Sequence, residues 1–144
     1  MSNAGACRMY PHKGQIDKDR YRKAMEAKEF FMHFYKVHCA RVAIENPLPM
    51  KIIGLPAPTQ IIQPYQFGEP YSKKTLLWLK GLAPLQPTKV LSKYTPWISS
   101  GTGGFSRGRG GSRGVARTPQ LRSKTFQGIA EAMSEQWGQI GAET

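Results

Sequence analysis

Val42-Ala43-Ile44-Glu45-Asn46-Pro47 is an apolar run that ends abruptly in a carboxylate, an amide and a proline. Short runs of this kind are typical of buried parallel strands. In open α/β sheets the ligand crevice lies beyond the carboxyl ends of the strands, so Glu45 and Asn46 are expected to project into such a crevice. Proline holds the residue before it extended and stops regular structure, which would fix the polar pair at the exit from the sheet. The alternative reading is a strand-end glutamate that merely caps the strand or pairs with a nearby lysine or arginine.

Upstream, Tyr21, Ala24, Ala27, Phe31, Phe34 and Tyr35 recur at helical spacing, and Met25 and Met32 widen the stripe. Arg22, Glu26, Glu29, His33 and Lys36 lie opposite, which predicts a one-sided helix over 19–36 packed on a sheet. A helix followed by a strand over 40–45 is half of a βαβ crossover, and a crossover needs a strand before the helix. No strand-like run precedes Asp19, so either the sheet starts here or the N-terminal part of a larger fold is missing. Downstream, prolines over 48–58 predict an extended, irregular surface path. Gln60-Ile61-Ile62-Gln63-Pro64-Tyr65-Gln66-Phe67-Gly68 reads as a β segment broken by proline. Lys73-Lys74-Thr75-Leu76-Leu77-Trp78-Leu79 reads as a second buried strand ended by Gly81 and Pro84. Near the end, Phe126, Ile129, Ala130, Met133 and Trp137 share a helical face, with Thr125 as N-cap and Gly138 as stop. The expected organisation over 1–144 is a single unit. It has a loop over 1–16, an α/β core over 17–98, a flexible basic Gly/Arg-rich loop over 99–122 and a C-terminal helix over 123–138 packed back on the sheet.

The chain has 144 residues, enough for one domain with a core, and carries a formal charge of +12 from 21 Lys and Arg against 9 Asp and Glu. The charge is uneven: residues 70–130 contain no acid. A field of one sign over that length favours a polyanion partner. A membrane surface is not expected, because no basic amphipathic helix lies in the window. Cys7 and Cys39 lack Cys-x-x-Cys spacing, and His12, His33 and His38 are scattered, so neither a disulfide framework nor a zinc site is expected. With no membrane-spanning run and no signal-peptide pattern, the cytoplasm is the expected location.

Ser106-Arg107-Gly108-Arg109-Gly110-Gly111-Ser112-Arg113-Gly114 has the composition of Arg-Gly-rich nucleic-acid tails, whose guanidinium groups contact phosphates and stack on bases. A pure spacer would need no arginines, although Gly-Arg segments also serve as solvated linkers. Tyr65, Phe67, Tyr71 and Trp78 interleave with Gln63, Gln66, Lys73 and Lys74. Aromatic faces beside amides and cations suit an unstacked base next to its phosphate. Trp78, among Leu76, Leu77 and Leu79, is expected in the core instead. Gln63, Tyr65, Phe67, Lys73 and Lys74 are therefore candidates for base and backbone contact, and Arg107, Arg109 and Arg113 for phosphate contact.

Ile44-Glu45-Asn46-Pro47, the 61–68 segment, the 71–82 segment and Ser123-Lys124-Thr125-Phe126-Gln127-Gly128-Ile129-Ala130-Glu131-Ala132-Met133 together resemble phage and prophage DNA methyltransferase-like proteins, which are grouped with the cytosine-5 methyltransferases. The resemblance covers nearly the whole chain in the same order. It implies an α/β fold, a partial Rossmann-like S-adenosylmethionine-dependent methyltransferase sheet without its N-terminal half. It also implies that Glu45 is the catalytic carboxylate holding a flipped cytosine through its ring nitrogen and exocyclic amine, with Asn46 orienting it. Pro47 stands where the family more usually has valine. The stretch Ser2-Asn3-Ala4-Gly5 resembles the residues immediately after the family's Pro-Pro-Cys nucleophile loop, and Cys7 is not that cysteine's equivalent. The Gly-rich cofactor segment has no counterpart here either. The implied function is thus the target-base and DNA-contacting portion of a DNA cytosine methyltransferase of a phage or its bacterial host, inactive alone. Its implied partners are DNA and a complementary N-terminal methyltransferase chain, with S-adenosylmethionine bound only in the completed enzyme. The competing class is a non-enzymatic basic nucleic-acid-binding phage protein.

Overall fold

The computed structural model describes residues 9–10, 12, 14–98, 114–116 and 118–138. The first helix, α1 (Lys18–Tyr35), starts where Asp17 takes an extended backbone and its Oδ1 accepts the Arg20 N–H at 3.0 Å. This is an N-cap that satisfies one of the free N–H groups of the first turn. Of the expected stripe, Ala24 and Phe31 are buried. Phe31 meets Trp78 edge to face with ring centroids 4.9 Å apart, so the helix does pack on a sheet.

That sheet has three strands in the order β1 (Val42–Pro47), β4 (Thr75–Lys80), β2 (Gln60–Ile62). Both neighbours run antiparallel to β4. The expectation of a buried parallel strand at Val42–Pro47 is corrected on both counts: the pairing is antiparallel, and Asn46 is the one buried residue of a strand with a single neighbour. β1 is an edge strand, which is why it tolerates Pro47 opposite Thr75. Among the described residues no strand precedes α1. A second ladder, β3 (Tyr71–Ser72) with β5 (Thr95–Pro96), is parallel and two residues long.

The central strand explains the layering. Thr75, Leu76, Leu77 and Trp78 are all buried, as in a strand covered on both faces. Leu76 and Trp78 pack with Phe31, Met32, Ile44 and Leu55 on one face. Leu77 packs on the other with Ile62, Phe67, Trp97, Phe126 and Ile129. The molecule is therefore mixed α/β, with α1 on one side of a small sheet and Phe126, Ile129 and Ala132 on the other. The indole N–H of each of the 3 tryptophans donates to a backbone carbonyl: Trp78 to Pro56, Trp97 to Leu121 and Trp137 to Ala83.

Three boundaries differ from expectation. The 48–58 path is not confined to the surface, since the short 3-10 turn Lys51–Ile53 buries Ile53 beside Met9 and Ala24. A short helix, α2 (Pro119–Arg122), lies in the stretch expected to be loop. The last helix, α3 (Gln127–Trp137), begins after Phe126 rather than at Thr125, because the Phe126 ring is buried and its backbone is extended. Ile129 and Ala132 are its buried residues, while Ala130 faces solvent. A side chain at Gly128 would run into the Phe67 carbonyl, so this glycine lets α3 lie directly on the 64–68 segment.

Candidate nucleic-acid interface

Glu45 and Asn46 do not share a crevice. Successive side chains of a strand point to opposite faces, and the register sets Glu45 against Leu77 and Asn46 against Leu76. Asn46 thus turns toward the α1 side, buried, with its Nδ2 donating to the Pro47 carbonyl at 3.0 Å. Glu45 is exposed on the α3 side. Both lie within β1 rather than beyond its end, which corrects the expected geometry.

Glu45 opens onto a cleft of about 100 Å³ that Lys73, Thr75, Lys124, Phe126 and Met133 also line. Lys73 is held by its backbone N–H, which donates to Gln63 Oε1 at 2.8 Å. Its Nζ donates to the Lys124 carbonyl at 3.4 Å and lies 5.9 Å from the centre of the Phe126 ring. Burial pushes the Lys73 ammonium below its ordinary pKa, and the negative charge of Glu45 works against that shift. The exposed Glu45 carboxylate and the half-buried Lys73 ammonium form a polar corner able to accept and donate hydrogen bonds, while the buried Thr75 hydroxyl donates to the Lys73 carbonyl at 3.2 Å and the buried Phe126 ring backs the corner.

The other expected contact residues divide. Gln63 is committed internally: its backbone N–H donates to Gln66 Oε1 at 2.8 Å while its own Oε1 accepts from Lys73, so it builds the corner rather than presenting itself to a ligand. Phe67 is buried in the core beneath α3 and shows no face to solvent, which corrects its assignment as a base contact. Tyr71, half-buried, packs on Trp97 and Phe126, and Trp78 is buried as expected. Lys74 is exposed. Tyr65 is half-buried and stacks on Tyr94 with centroids 4.1 Å apart and planes 10° from parallel. Arg107, Arg109 and Arg113 lie outside the described residues.

Lys124, Phe126 and Tyr94 did not emerge from the sequence. For Tyr94 a signal was there, because Lys89, Lys93 and Tyr94 repeat the aromatic and cation interleaving seen around Tyr65. Lys124 and Phe126 reach the cleft through the expected return of the C-terminal helix to the sheet, and no local pattern encodes which residues that return sets beside Glu45. No helix among the described residues is long and apolar enough to cross a membrane. No family model, curated protein or solved structure matches the chain.

Proposed function

We propose that this chain is the target-base and DNA-contacting portion of an S-adenosylmethionine-dependent DNA cytosine methyltransferase of the Rossmann-like class, with Glu45 as the base-contacting acid. The observation that carries the reading is the exposed Glu45 carboxyl at the mouth of the cleft beside Lys73 and Phe126. A carboxyl group there can share a proton with a ring nitrogen and accept from an exocyclic amine, drawing electrons from the ring. Asn46 then acts from the opposite face by holding the β1 backbone through the Pro47 carbonyl, and not by touching the base. Lys73 and Lys74 supply positive charge next to the base. Arg107, Arg109 and Arg113 supply it along the phosphates.

S-adenosylmethionine is not assigned to the described residues. Gly14, Gly54, Gly68 and Gly81, the glycines with positive φ, each lie in a turn, and none joins a strand to the N-terminus of an α-helix. Cofactor binding and the cysteine nucleophile are assigned to a complementary methyltransferase segment.

The test is reconstitution with such a segment, as a separate chain or a fusion, and then transfer of a labelled methyl group to DNA. Glu45→Gln should leave stability within about 1 kcal/mol, as surface changes do. It should lower the transfer rate on the order of a hundredfold. Loss of stability with an unchanged rate refutes the role of Glu45. A second reading, a basic nucleic-acid-binding phage protein without chemistry, is favoured by the acid-free stretch 70–130. It is the reading left standing if DNA is bound and no complementary segment restores transfer.

A further inference from the structure

Tyr94 is 48% exposed, yet it is held in a fixed stack. The loop that carries it is tied to the segment that carries Tyr65 at several points along its length. Leu91 N–H donates to the Tyr65 carbonyl at 2.8 Å, Lys89 N–H to the Gln66 carbonyl at 3.1 Å and Thr95 N–H to the Pro70 carbonyl at 3.0 Å. Gly68 N–H returns a bond to the Lys89 carbonyl at 2.8 Å. These bonds preorganise one ring on the other, so a further flat ring can join the stack without ordering a loop first.

The loop that carries Tyr94 bears cations and no acid. Lys89 and Lys93 lie on the Tyr94 loop, exposed, and Lys74 is exposed nearby in sequence. The nearest acid along the chain, Glu69, accepts the Gly128 N–H at 3.4 Å, at the start of α3. An exposed aromatic face with cations on its own loop is suited to a base that carries its phosphate with it.

We infer that the Tyr65–Tyr94 stack is a platform for an unpaired nucleobase of single-stranded DNA, which lies on the outer face of Tyr94 while Lys89 and Lys93 hold the flanking phosphates. The inference rests on the proposed nucleic-acid function and assigns it a stacking subsite distinct in its residues from the Glu45 cleft.

Fluorescence anisotropy with a labelled oligothymidine strand and an abasic strand of the same length separates base stacking from phosphate attraction. The parent chain should bind oligothymidine about tenfold tighter than the abasic strand, the scale of one stacked base. Tyr94→Phe should keep that preference. Tyr94→Ala should abolish it while leaving abasic binding unchanged, and Tyr94→Leu, which keeps bulk without a π face, gives the same readout if the alanine variant does not fold. Equal affinity of the parent for both strands overturns the platform and leaves the polyanion reading intact. Equal loss on both strands in Tyr94→Leu also overturns it. Binding of neither strand by the parent removes the nucleic-acid reading itself.

Discussion

Lys73 carries its charge in a place that resists it. Burial disfavours the ammonium and Glu45 only partly restores it, so its folded pKa lies below the ordinary value of 10.5. Between the lowered folded value and 10.5 the unfolded chain holds a proton that the folded chain has released, so the Lys73 contribution to stability rises with pH across that window. Below the window the charge is present in both states and the burial penalty is felt in full. Lys73→Met removes the titration. The stability of the parent relative to that variant, from urea unfolding at a series of pH values, should therefore increase as pH climbs toward 10.5. A difference that stays flat over that climb contradicts the burial of the ammonium. Glu45→Gln removes the opposing charge, and the Lys73 pKa, followed by NMR of its ε-methylene, should fall further.

α1 shows how far periodicity carries and where it stops. Its stripe places Phe31 and Phe34 on the same side, yet Phe31 is 6% exposed and Phe34 is 45% exposed. The reason is the width of what lies beneath: Phe31 lands on Trp78 of the central strand, whereas Phe34 meets the helix's own Phe30, which is 69% exposed. Phe31→Ala should cost about 3–5 kcal/mol by opening a cavity against Trp78. Phe30→Ala, its direct neighbour, should stay within about 0.5 kcal/mol. Comparing their denaturant midpoints checks the assignment, and similar losses for both would mean that the helix is rotated on the sheet. The same limit appears at α3, where Thr125 has the chemistry of a cap but Phe126 takes the position because its ring is claimed by the core beside Trp97.

Across the whole chain the net charge of +12 is the basis of the proposed DNA binding. Each phosphate neutralised on duplex DNA releases counterions and contributes about 0.9 to the slope of log affinity against log salt. Replacing Arg107, Arg109 and Arg113 together by alanine should flatten that slope, and a DNA affinity equal at low and high salt would remove the electrostatic basis of binding. The strong local signals proved legible: α1, the buried strand at Thr75–Lys80 and a C-terminal helix each announce themselves by which residues must hide from water, and the apolar run ahead of Pro47 marks a strand whose burial the fold did not supply. Strand direction did not, because an apolar run looks the same whichever way its partner runs, and only pairing with β4 made β1 antiparallel. The divergence of Glu45 from Asn46 was available from strand alternation alone once both were inside the strand rather than past its end. The meeting of Glu45 with Lys73 and Phe126, and of Tyr65 with Tyr94, required the folded chain. Composition and periodicity record each residue's need for burial or water. Which distant residues satisfy that need together is decided by long-range pairing and packing, which no local spacing contains.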